Sequence, residues 1–113
     1  MGAFYSKQPN GKYCRFSTVV DTLTEWNLTE EEAISRMFVY INEASPEEKE
    51  LCKSLFEKRL VPFSRIKEQF TPSCNTIEEF EEILKDIGDT EGFSEEQMKN
   101  LKEWLDEIDE ENN

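Results

Sequence analysis

The sequence predicts an α+β fold, with an N-terminal β-hairpin packed on four to five amphipathic α-helices in a single domain over residues 1–113. Three observations carry that reading. An Asn10-Gly11 turn signal separates two extended stretches near the N-terminus. From residue 29 onward, a Ser or Thr is followed three positions later by Glu or Gln, ahead of apolar residues at helical spacing. A chain of 113 residues, 36% of them hydrophobic, has material for one core only.

Residues 1–20 form the hairpin. Asn10-Gly11 suits a tight primed turn, with Pro9 just before it. After the turn, Cys14, Phe16, Thr18 and Val20 share one face and Tyr13, Arg15, Ser17 and Val19 the other. The first set is the more apolar and is assigned to the core. Residues 21–28 read as a connection anchored by Trp26 and Leu28. Residues 60–63 are a candidate short third strand.

The segment 29–70 is helical. Thr29 and Glu32 form a capping box, and Ile34, Met37, Phe38 and Ile41 make one buried stripe in a helix that ends before Ser45-Pro46. Ser45 caps the next helix, with Pro46 in its first turn and Glu48 closing a second box. Its apolar face is Leu51, Cys52, Leu55, Phe56 and Leu60, and Pro62 stops it. Phe63, Ile66 and Phe70 mark a short helix ended by Thr71-Pro72.

Residues 76–109 form an acidic helical pair. Thr76 and Glu79 open the first helix, Phe80, Ile83, Leu84 and Ile87 are its stripe, and Gly88 is placed to cap it in the left-handed conformation. Ser94 and Gln97 open the second, Phe93 and Met98 form a staple, and Met98, Leu101, Trp104, Leu105 and Ile108 run down one side. Residues 110–113 are expected to fray, since acids at a helix C-terminus oppose its dipole.

The charge is distributed unevenly. Residues 1–74 hold 11 acids and 10 bases, while residues 75–113 hold 15 acids and only Lys85, Lys99 and Lys102 as bases, a net of −12 out of −13. A surface of that sign argues against direct contact with nucleic acid, whose phosphates require bases. No apolar run approaches the roughly 18 residues of a membrane span. An odd number of cysteines, three, predicts free thiols in a reducing cytoplasm.

Catalytic constellations are missing from the sequence. There is no His, so a Cys nucleophile has no imidazole base, and the four glycines form no phosphate-binding loop. Cys14, Cys52 and Cys74 include no CxxC pair to begin a zinc site. The stretch 86–92 lies between two helices, but no frame puts both Asp at position one and Gly at position six of a calcium loop. The expectation is a non-enzymatic protein with no cofactor and no metal.

Acid density is the feature that points to a function. Glu78, Glu79, Glu81, Glu82 and Asp86 fall within nine residues, about 13 Å of helix axis. That is roughly one carboxylate per 2.7 Å, close to the 3.4 Å phosphate spacing of one DNA strand. Glu95, Glu96, Glu103, Asp106 and Glu107 extend the charge along the second helix. Such a surface can imitate a nucleic-acid backbone and enter a basic groove. The competing reading is a solvated helix face, balanced in part by Glu95–Lys99 and Lys99–Glu103 pairs.

The opening, GAFYSKQPNGKYCRFSTVVDTLTEWNLTEEEAI, resembles small uncharacterised proteins of Gram-positive bacteria and their phages. The resemblance covers the N-terminal third and transfers no functional residue. It implies a mobile-element setting, in which small acidic proteins inhibit host defence nucleases as anti-CRISPR and anti-restriction proteins do. The expected partner is therefore a basic nucleic-acid-handling protein in the bacterial cytoplasm, bound through the ten acids just named. The alternative is an adaptor that makes contact through apolar and aromatic surface near the hairpin and Trp26.

Overall fold

In the computed structural model, which describes residues 2–72 and 75–112 and the side chains of all these up to 107, three antiparallel strands open the chain. They are β1 (Ala3–Lys7), β2 (Tyr13–Ser17) and β3 (Thr22–Leu28), in the spatial order β1-β2-β3. Five helices follow: α1 (Glu30–Met37), α2 (Pro46–Arg59), α3 (Ser64–Gln69), α4 (Ile77–Asp86) and α5 (Glu95–Asn112). This is the α+β architecture expected, with one strand more than the hairpin.

The hairpin turn differs in type from the one expected. Gly11 N–H donates to the Gln8 carbonyl at 2.9 Å, and Gln8 N–H donates to the Lys12 carbonyl at 2.8 Å. Among the turn residues only Gly11 has positive φ, at 87°. The loop is thus three residues long, a Pro9-Asn10 turn closed by a left-handed glycine, and not a two-residue primed turn. Asn10 is freed to dock: its N–H donates to the Ile87 carbonyl at 3.1 Å, at the end of α4.

The third strand is Thr22–Leu28, not residues 60–63, and it lies where a connection was expected. Two register shifts against β2 break its alternation, so neither its odd nor its even positions make an apolar row. Asn27, at φ 58°, is held by the buried Gln8, whose Oε1 accepts its N–H at 2.6 Å. Residues 60–63 contribute a single strand-like bond, Val61 N–H to the Tyr5 carbonyl at 2.9 Å. Leu28 is buried, but Trp26 is 38% exposed and belongs to neither core cluster.

Both faces of the sheet are covered. Cys14, Phe16 and Leu23 meet Ile66 of α3, Phe70 just after it, four apolar residues of α4 and Leu101 of α5. On the opposite face, Tyr5, Tyr13 and Leu28 meet Ala33 and Ile34 of α1 and Phe56 of α2. Tyr13, assigned to the outer face, is therefore buried, while Thr18 of the assigned core face is exposed. A central strand between two helical layers has no outward side for alternation to reveal.

The helix starts follow the capping signals. Thr29 and Glu32 form the reciprocal box, and Thr76 and Ser45 accept from the N–H groups of Glu79 and Glu48. Helix α1 stops at Met37 instead of running to Ser45. A 3₁₀ turn at Ile41–Glu43 replaces its continuation, yet Met37, Phe38 and Ile41 still pack on the second core. On α2 only Phe56 is fully buried, and Leu51 is 60% exposed. Helix α5 is continuous to Asn112, and the side chains expected to fray lie outside the described ones.

Candidate functional site

Helix α4 presents its carboxylates by simple geometry. Ile77, Phe80, Ile83 and Leu84 are buried, with Ile87 just beyond the helix end. At 100° per residue, Glu78, Glu79, Glu82 and Asp86 then fall on the opposite arc, and all four are exposed. Glu81 lies at the boundary and is half-buried, so it contributes less open charge than its place in the run suggested.

The link from α4 to α5 is built from glycine geometry and one ion pair. Gly88, at φ 91°, donates to the Lys85 carbonyl at 3.1 Å, and Asp89 N–H donates to the Leu84 carbonyl at 2.8 Å. These two bonds close a Schellman motif. Immediately after it, Asp89 Oδ2 lies 2.6 Å from Lys67 Nζ, and both side chains are largely buried. Lys67 also donates to the Gly92 carbonyl at 2.7 Å, so α3 holds both ends of the link.

Sequence reasoning missed this pair. Its partners are 22 positions apart, and Asp89 drew attention only as part of a failed calcium loop. No group of His, Cys, Asp and Glu able to hold a metal ion occurs among the described residues.

Helix α5 starts with a full capping box: Ser94 Oγ accepts from Gln97 N–H at 3.2 Å, and Gln97 Oε1 accepts from Ser94 N–H at 3.0 Å. Phe93 and Met98 pack against the first core as expected. Phe93 stacks with Phe70 and Phe80 at centroid distances of 6.0 and 5.8 Å, which ties the start of α5 to α3 and α4. Glu95, Glu96, Glu103, Asp106 and Glu107 are all exposed.

The ten carboxylates are without ion-pair partners among the described residues. The ion pairs there join Arg36 to Glu25, Lys53 to Glu30 and Lys67 to Asp89. The Glu95–Lys99 and Lys99–Glu103 pairs, which would have balanced α5 locally, do not form. Helix dipoles account for part of the pattern, since Glu78, Glu79, Glu95 and Glu96 stand in first turns where negative charge is stabilising. They do not account for Asp86 in the last turn of α4, where a carboxylate opposes the dipole.

Cys14 packs within the first core and Cys52 against the second, while Cys74 lies outside the described residues. Cys14 is buried in the first core, and burial pushes its thiol up to about 12. No helix among the described residues is long and apolar enough to cross a membrane. No family model, curated protein or solved structure matches the chain.

Proposed function

We propose that the chain is a non-enzymatic inhibitor from a phage or mobile element, acting in the cytoplasm of its bacterial host. It binds a basic nucleic-acid-handling protein, such as a CRISPR effector or another defence nuclease, and fills the groove meant for nucleic acid. One observation carries the reading: nine exposed carboxylates on α4 and α5 have no ion-pair partner among the described residues. One of them, Asp86, stands in the last turn of α4, where it opposes the helix dipole. Charge left unbalanced within the chain is best accounted for by a contact outside it.

The test is a binding titration against the partner captured from host lysate at low salt. The triple variant Glu78→Lys, Glu79→Lys, Glu82→Lys reverses charge at exposed positions outside the core, so the domain stays folded, less stable by the lost first-turn charges of α4, and loses binding. Each single change costs only about 0–1 kcal/mol, as exposed pairs do. Affinity falls as ionic strength rises. A folded triple variant that binds like wild type would overturn the mimicry. The exposed Val39, Tyr40 and Leu51, at 76%, 79% and 60%, then favour the adaptor reading, which predicts binding insensitive to salt.

A further inference from the structure

Between α3 and α5 runs a groove of about 290 Å³, lined by Phe70, Thr71, Asn100, Leu101 and Trp104, with Lys67 and Glu68 at one end. Phe70 and Leu101 belong to the first core and make an apolar floor. Trp104 is half-buried and forms a wall. The volume admits one or two apolar side chains, not a whole helix.

Charge selects the occupant. The one base in the lining, Lys67, is already neutralised by Asp89 at 2.6 Å. Glu68 in the lining is exposed, and so is Glu107, one turn beyond Trp104 on α5. Neither is in an ion pair among the described residues. A second copy of this chain would bring the same acids against themselves, and anionic membranes or nucleic acid would be repelled in the same way.

We propose that this groove receives an apolar side chain from a basic segment of the partner protein, with lysines or arginines around it meeting Glu68 and Glu107. The inference rests on the acidic-face reading and adds to it. Imitation of phosphate supplies attraction without shape, whereas the groove supplies a specific anchor. The partner segment is thus a basic stretch interrupted by Leu, Met or an aromatic residue, and not a uniformly basic one.

The experiment uses tryptophan emission. The chain has two tryptophans, Trp26 and Trp104, so Trp26→Phe leaves Trp104 as the only reporter. The probes are a short Lys/Leu amphipathic peptide and an oligolysine of equal charge. The expected result is a shift in Trp104 emission with the amphipathic peptide and binding about tenfold tighter than oligolysine, the effect of burying one aliphatic side chain.

Asn100→Arg, at an exposed position on the groove, should abolish that preference without disturbing the fold, which circular dichroism verifies. Equal affinity for both peptides overturns the groove and leaves the acidic-face reading intact. Binding of neither peptide overturns both. An emission change that follows protein concentration, with no peptide present, assigns the groove to a second copy and also overturns the proposal.

Discussion

Lys67 and Asp89 form a largely buried ion pair, Nζ to Oδ2 at 2.6 Å, that joins α3 to the link between the two acidic helices. The two side chains retain 12% and 7% of their exposure. The same ammonium holds the Gly92 carbonyl, so one lysine pins both ends of the link into α5. The orientation of α5, and with it the placing of half the acidic surface, is set by this pair together with the packing of Phe93, Met98 and Leu101 on the first core.

Lys67→Met leaves a buried carboxylate without its counter-charge and should cost about 3–5 kcal/mol. The double variant Lys67→Met, Asp89→Leu should recover more than half of that loss, because no charge is left stranded. Urea melts of the three proteins measure both values. A single variant as stable as wild type would show that the pair is solvated.

Gly88 and Gly11 both have positive φ, at 91° and 87°, but differ in their surroundings. A Cβ at Gly88 would lie 3.1 Å from Asn10 Cβ, whereas one at Gly11 meets nothing within 4 Å. Gly11→Ala should therefore cost only backbone strain, about 1 kcal/mol. Gly88→Ala should cost roughly 2–3 kcal/mol, since it also pushes the hairpin tip off α4. Paired thermal melts test the order of the two.

Phe80 is fully buried and stacks on Phe70 with centroids 3.9 Å apart. Phe80→Ala should cost about 3–5 kcal/mol. Tyr40→Ala, at a position 79% exposed, should stay within about 0.5 kcal/mol. Chemical denaturation of both variants checks the contrast.

Stability should fall in alkali, and the sign follows from burial. Desolvation raises the Cys14 thiol from 9.0 to about 12 and raises the Tyr5 and Tyr13 hydroxyls from 10.0. The unfolded chain releases these protons first, so this stability is intact below pH 9 and is lost as pH rises towards 12. The thiol accounts for at most about 1.4 kcal/mol per pH unit over that window. Cys14→Ala should flatten the slope between pH 9 and 10, read from melts across pH. An unchanged slope would mean that Cys14 ionises freely in the folded protein.

Short-range signals were legible in the sequence. Thr29, Ser45, Thr76 and Ser94 mark helix starts because each cap is completed within three residues, and Gly88 marks a helix end for the same reason. The exposed arc of α4 could also be read, since the helical period alone places Glu78, Glu79, Glu82 and Asp86 opposite Phe80 and Leu84. These are properties of one segment and its own period.

What depends on two distant segments was decided only by the tertiary structure. Tyr13 is buried because α1 and α2 cover the sheet face that alternation left open. Residues 22–28 pair as a strand because β2 offers them an edge, although two register shifts erase their period. Asp89 is buried because Lys67 reaches it from α3, and the groove beside Trp104 exists only where α3 and α5 pack. Which residues cap, coil and carry charge follows from the order of the amino acids, since those energies are settled within a few residues. Which polar groups are buried and which apolar ones remain open was left to packing, because burial belongs to the assembled layers and to no single segment.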